Sequence, residues 1–213
     1  MRFRAPRTAI AAALGTVLGC AMVTAGCSSS TPQPSATLGG GPRPTLAVPG
    51  VTTATPTSSV TLPADYTVNI ELNITGTATQ VQLLTQAKAL VLAYEQALER
   101  NAPTDPLYQT MVSGVAKANL YQSITAYKNA SQRPTGTVVF YRFSTYITTT
   151  SSDALFCEDP SQVKLVNFTT GAALANTATD TEKQFWDVGF DKNADGTWSI
   201  DYVATQAGSN KCT

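Results

Sequence analysis

Histidine is missing from all 213 residues. Its absence removes the side chain most used for proton transfer near neutral pH and for catalytic zinc, and it excludes any Ser-His or Cys-His nucleophile. Charge is also sparse, at 13% of residues, and aromatic residues make up only 8%. Three arginines, Arg2, Arg4 and Arg7, stand at the amino terminus. From Ser28 onward 11 bases therefore face 14 acids, a net of −3. A weakly acidic surface without clustered Lys or Arg offers no electrostatic footprint for nucleic acid, so that partner class is set aside. Cysteine is limited to four positions, none in a Cys-x-x-Cys spacing that would suggest redox chemistry. The length suits one domain with accessory segments rather than two domains, and an apolar fraction of 43% is compatible with a packed core.

The amino terminus has three zones. A basic Met1–Arg7 is followed by an uncharged apolar stretch from Thr8 to about Thr24 and then by the small residues Ala25-Gly26-Cys27. This is the pattern of a secretory signal, here residues 1–27. Thr24-Ala25-Gly26-Cys27 followed by serines resembles the bacterial lipobox, which predicts lipidation at Cys27. Val17-Leu18-Gly19-Cys20 is the alternative, but cleavage there would leave the apolar Ala21-Met22-Val23 on the mature chain. An uncleaved signal anchor is a further alternative, since Thr8–Gly26 is 19 residues long, near the ~20 that span a bilayer. Each version keeps the basic end inside and puts the domain on the extracytoplasmic face of the cell membrane.

Residues 28–62 collapse to Ser, Thr, Pro, Gly, Ala and Val, with Arg43 as the only charge. Such a composition buries too little apolar surface to offset chain entropy, and predicts a disordered tether.

Residues 63–213 read as one α+β domain. Val68, Ile70, Leu72 and Ile74 alternate with polar residues, which predicts a half-buried strand over 66–75. Thr77-Ala-Thr-Gln80 is a capping box, and Val81, Leu84, Ala87, Val91, Tyr94 and Leu98 continue at helical spacing to Arg100. Asp105 and Pro106 open a second helical segment, with a kink or break expected at Gly114 and an end at Pro134 and Gly136. Strands follow over 138–149, 154–157, 163–169, 184–190 and 198–204. Asn193-Ala-Asp195-Gly196 forms the turn between the last two. Helices first and strands after predict N-terminal helices packed on a curved, mostly antiparallel sheet. In an exported domain Cys157 and Cys212 are expected to form a disulfide. It would close a loop of about 55 residues and add roughly 4 kcal/mol on the chain-entropy account.

Several segments together carry a resemblance: Phe156-Cys157-Glu158-Asp159, the strand ending at Gly171, Gly196-Thr197-Trp198, the closing Cys212 and Asp105-Pro106-Leu107-Tyr108. They resemble uncharacterised secreted lipoproteins of actinobacteria, which look like relatives of the nuclear-transport-factor-two-like (cystatin-like cone) fold. That resemblance implies a cone of helices on a bent sheet. It implies no single activity, because the fold hosts cyclases, dehydratases, isomerases and non-enzymatic modules.

Candidate sites are few. Asp191-Lys-Asn193-Ala-Asp195-Gly196 matches the first half of a calcium loop. The twelfth position, where a Glu is required, is Tyr202, so a hairpin turn is the better reading. Carboxylates inside the elements are Glu95, Asp187 and Asp201; the last two are expected to face solvent. Tyr94, Tyr141, Tyr146 and Trp186 could line a pocket. Glu158 and Asp159, before Pro160, read as a turn at a strand end and as a possible partner contact. These observations predict a non-enzymatic module, without cofactor or metal, that binds an envelope protein or wall component. The alternative is a small-ligand carrier or acid-base enzyme that uses the cone cavity. A filled interior would favour the first reading and a hollow one holding a buried acid the second.

Overall fold

A computed structural model of the chain describes residues 59–149, 151–176 and 178–213. The signal segment, both candidate lipidation cysteines, Cys27 and Cys20, and the tether up to residue 58 lie outside the described residues. Among the described residues, no helix is long and apolar enough to cross a membrane.

A five-stranded mixed sheet has its strands in sequence order. The strands are β1 (Tyr66–Ile70), β2 (Gln132–Ile147), β3 (Ser151–Asn167), β4 (Gln184–Lys192) and β5 (Trp198–Ala207). β1 runs parallel to β2, and every other pair is antiparallel. Helices α1 (Ala78–Glu99), α2 (Pro106–Gln109) and α3 (Gly114–Asn129) come between β1 and β2, and a short α4 (Ala178–Thr181) precedes β4. This is the expected α+β order, with helices first and an antiparallel meander after.

Local chemistry explains most boundaries. Thr77 caps α1 through both halves of a capping box: the Gln80 amide donates to Thr77 Oγ1 and the Thr77 amide to Gln80 Oε1. Asp105 accepts from the Leu107 amide at 2.8 Å and, with Pro106, starts α2. The expected break before Gly114 is present. There the chain leaves the helix, bridges Val112 to Ile200 and donates Ser113 N to Ile200 O at 2.8 Å. Asn119 of α3 donates to the Val203 carbonyl at 3.1 Å, so α3 lies against β5.

Three strand boundaries differ from the sequence pattern. β1 ends at Ile70 rather than near Thr75, because its partner β2 bulges just beyond Phe140, between Tyr141 and Ser144. β2 begins at Gln132 and contains Pro134 and Gly136. Pro134 sits before the first β1 rung at Gly136, so its missing N–H breaks no β1 rung. The segments 154–157 and 163–169 are parts of one strand, β3, and no turn separates them. Pro160 falls where β3 is irregular against β2 and just past the last β4 rung, Glu158 with Gln184, so the strand absorbs it.

The core lies between the helices and one sheet face. Phe156 stacks on Trp186 with centroids 5.6 Å apart and on Phe143 at 4.7 Å, and Tyr94 meets Trp186 edge-on at 5.5 Å. Val60 and Leu62, at the end of the segment read as tether, pack against this core. Cys157 and Cys212 form the expected disulfide.

Gly136 supplies a test of register. Its φ is +84°, and a Cβ there would come within 2.3 Å of the Gln162 carbonyl oxygen. Gly196, with φ +85°, has open space around it. Gly136→Ala is expected to cost about 3 kcal/mol or more in urea unfolding, whereas Gly196→Ala should cost only the backbone strain of ~1 kcal/mol. Equal losses would show that the close approach at Gly136 does not matter.

Candidate functional site

Tyr94, Glu95 and Leu98 are buried because most of the last half of α1 is enclosed. Glu95 is only 3% exposed. Across from it, alternation along β3 puts Ala154, Phe156 and Glu158 on the core side, and Glu158 is 9% exposed. Each carboxylate has an aromatic donor. Tyr66 Oη donates to Glu95 Oε2 at 2.5 Å, and Trp186 Nε1 donates to Glu158 Oε2 at 2.8 Å.

The two acids border a cavity of about 40 Å³ that is also lined by Tyr66, Tyr94, Tyr127, Pro134, Pro160, Asn176 and Asp180. Asn176 is fixed there by two backbone bonds: its Nδ2 donates to Val163 O at 2.7 Å, and its Oδ1 accepts from Leu165 N at 3.1 Å. Tyr94 Oη is bonded to Ser123 Oγ at 2.7 Å. Among the described residues that line the cavity there is no lysine or arginine. A volume of about 40 Å³ admits a few waters, against the roughly 300–1,000 Å³ of sites that take organic ligands.

Burial, reinforced by the charge of Glu158, raises the Glu95 carboxyl from its usual range to about 8, and the Tyr66 hydrogen bond offsets only part of this. Burial likewise pushes the Tyr66 and Tyr94 hydroxyls well above the ordinary tyrosine range. The pair therefore holds a proton at neutral pH and could exchange one with a water-sized species in the cavity.

The other sequence candidates fall elsewhere. Glu158 does not stand at a surface turn: it is buried in the middle of β3, so it is not available as a partner contact. Asp159 remains accessible and pairs with Lys183 at 3.5 Å. Asp187 and Asp201 are half-buried and do not line the cavity. Tyr141 donates to the Cys212 carbonyl at 2.8 Å, and Tyr146 is 63% exposed, so neither contributes to the site. Tyr94 and Trp186 do, one as a wall and the other as the donor to Glu158. The Asp195 carboxylate accepts from the amide and hydroxyl of Thr197 at 3.0 and 2.6 Å, which closes the β4–β5 turn. These bonds hold its carboxyl below the usual aspartate range. Sequence reasoning missed Tyr66, Tyr127, Asn176 and the inward position of Glu158. For Glu158 a signal existed, since Ala154, Phe156 and Glu158 share one parity along β3.

No family model matches the sequence, and no curated protein is similar to it. Solved structures with a similar course include an NTF2-like protein with a cystatin-like fold from Novosphingobium aromaticivorans, at 10% identity and a TM-score of 0.37, covering 63% of this chain and 91% of that one. A ketosteroid isomerase-like protein from Erwinia carotovora atroseptica is 14% identical with a TM-score of 0.37, covering 59% and 96%. A protein of unknown function with a cystatin-like fold from Nostoc punctiforme is 12% identical with a TM-score of 0.36, covering 64% and 96%. These likenesses are too distant to carry any function to this chain.

Because the folded state raises the Glu95 carboxyl from 4.5 to about 8, it keeps a proton that the unfolded chain releases. The contribution of Glu95 to stability is fully present below pH 4.5 and is lost as the pH rises to about 8. Glu95→Gln should remove this dependence. In urea titrations the variant should gain on the wild type between pH 5 and 8, by an amount on the order of 3 kcal/mol. Stability curves that stay parallel over that range would show that Glu95 is ionised throughout.

Proposed function

We propose that this chain is an envelope lipoprotein, anchored through a lipid on Cys27 to the extracytoplasmic face of the cell membrane, whose domain is a non-enzymatic binding module. The observation that carries the module reading is the filled interior. Phe140, Phe143, Phe156, Trp186 and Tyr94 occupy the space between helices and sheet, and the cavity beside Glu95, about 40 Å³, is small against the roughly 300–1,000 Å³ of sites that take organic ligands. Recognition then falls to the outer surface, and the partner class is another envelope protein or a wall component. The helices-first order and the bulged sheet also support reading the domain as a variant of the nuclear-transport-factor-two-like cone, with β1 added at its edge.

A second reading has its own support: Glu95 and Glu158, buried beside a cavity and able to hold a proton near neutral pH, are the equipment of an acid-base site. Thermal shift separates the two. A panel of small organic acids, amines and carbonyl compounds should leave the wild-type melting temperature unchanged, since a ligand that binds only the folded state must raise it. A compound that stabilises the wild type but not Glu95→Gln or Glu158→Gln would overturn the module reading.

Anchoring has a separate test. In a bacterial host fed an alkyne fatty acid, Cys27→Ala is expected to lose both acyl labelling and membrane retention. Labelling that persists in that variant and disappears in Cys20→Ala would move the lipid to Cys20.

A further inference from the structure

At one end of the sheet β3 leaves through a tight turn into a returning arm. Val166 bridges Ala173, and the Leu174 amide donates to the Leu165 carbonyl at 2.9 Å. Asn167 builds the turn. Its Oδ1 accepts from the amides of Thr169 and Thr170 at 3.1 and 2.9 Å and from the Thr170 hydroxyl at 3.0 Å, and its carbonyl accepts from the Gly171 amide at 2.9 Å. Phe168 is thus held on a fixed turn, 44% exposed, with Leu174 on the returning arm at 37%. Two exposed lysines flank the turn. Lys164 precedes Phe168 by four residues on β3, and Lys128 ends α3 next to Ser131, whose carbonyl accepts from the Phe168 amide at 2.7 Å. Neither lysine has an ion-pair partner among the described residues. No acid occurs over residues 106–152 or 160–179.

The chain enters the domain at this same end. Thr61 is bonded to Gln96 and Arg100 at the close of α1, and Asp65 pairs with Arg133, whose register partner is Val166. The acids here stand beside cations: Asp65 with Arg133 at 2.7 Å, Asp105 with Arg100 at 3.9 Å, and Glu99 in the field of both arginines. The opposite end is different. Gln80 Nε2 donates to Thr145 Oγ1 at 3.4 Å, which puts Tyr146 beside the start of α1, and the 22 residues of that helix separate the two ends by about 33 Å. Asp153, Asp191 and Asp195 gather at this far end against Lys192.

We propose that the Asn167–Leu174 turn, with Lys128 and Lys164, docks the domain on the anionic lipid surface to which the chain is anchored, with Phe168 entering the headgroup layer. This docking rests on the reading that a lipid on Cys27 holds the chain at the membrane. An exposed aromatic residue between cations suits such a surface, and the acids of the far end are repelled by it, which fixes the orientation. Each lysine adds only roughly fivefold in affinity for an anionic surface. A weak surface is enough here. The segment 28–58 has 31 residues, and even fully extended it reaches only about 110 Å, so the bilayer stays at high effective concentration. The turn is ordered before it docks, which lowers the entropy lost on contact. Docked in this way, the domain turns Tyr146 and the far end away from the bilayer.

Fluorescence of the full-length chain reconstituted into vesicles tests the docking. Phe168→Trp reports on the turn and Tyr146→Trp on the far end, over a constant background from the buried Trp186 and Trp198. In phosphatidylcholine vesicles containing phosphatidylglycerol with brominated acyl chains, the emission added by Phe168→Trp should fall by on the order of half relative to unbrominated lipid. The emission added by Tyr146→Trp should stay unchanged. Replacing phosphatidylglycerol by brominated phosphatidylcholine should remove the quenching. Lys128→Gln together with Lys164→Gln should lower the docked-to-free ratio by roughly 25-fold. Absence of quenching at Phe168→Trp in anionic vesicles, equal quenching of both reporters, or quenching that survives loss of the anionic lipid and of both lysines would overturn the proposal. Acyl labelling of Cys27 is read on the same preparation. Label without quenching overturns the docking alone, whereas absence of label overturns the anchor on which it rests.

Discussion

Glu95 and Glu158 are inside this protein because the side chains around them cannot be anywhere else. Glu95 follows Tyr94 and precedes Ala97 and Leu98 on a helix whose last half is enclosed on nearly every side. Glu158 follows Phe156 by two positions on a strand whose core-side parity is set by Ala154 and Phe156. Exposing either acid would mean exposing Tyr94, Phe156 or Trp186, whose burial outweighs the cost of one protonated carboxyl. The structure meets that cost with two aromatic donors, Tyr66 and Trp186, and with a proton held near neutral pH. Much else follows from this compromise: the small polar cavity, the attachment of β1 and the closeness of α1 to β3.

The residue of β3 next to Glu158 is fastened differently. Cys157 is bridged to Cys212, Tyr141 donates to the Cys212 carbonyl, and Arg142 Nη1 reaches the carbonyls of Lys211 and Thr213 at 3.3 and 2.6 Å. Arg142 lies in a β2 bulge with φ +56°, a conformation that turns its side chain out of the pleat and over the tail. The C-terminal segment is thereby tied to β2 and β3 directly beside Glu158. The site thus sits between a covalently held tail on one side and the edge strand β1, packed on the core through Tyr66, on the other.

Much of the framework was legible from residue order. Alternation found β1, β4 and β5, helical spacing and the Thr77 capping box found α1, and Gly114 marked the break between α2 and α3. These features depend on neighbours a few residues apart. The errors came from residues whose local meaning was overruled at a distance. Pro134 and Pro160 are breakers by themselves, yet both lie within strands because the neighbouring ladder ends or slips where each would have needed an N–H. Once Pro160 is taken as a breaker, Glu158 becomes a surface turn residue and its partner Trp186 has no role.

By itself the sequence determined the order of elements, the helix caps, the hairpin at Asn193–Gly196, the pairing partners available to cysteine and the lack of any histidine-based chemistry. All of these are consequences of spacing and residue type. Tertiary structure alone decided that two glutamates, 63 residues apart in the chain, share one cavity, that Tyr66 lines it and that no cation lines it among the described residues. The reason is physical. A carboxylate's burial and charge partners are properties of the space around it, and that space is built by α1, β1 and β3 only after they pack.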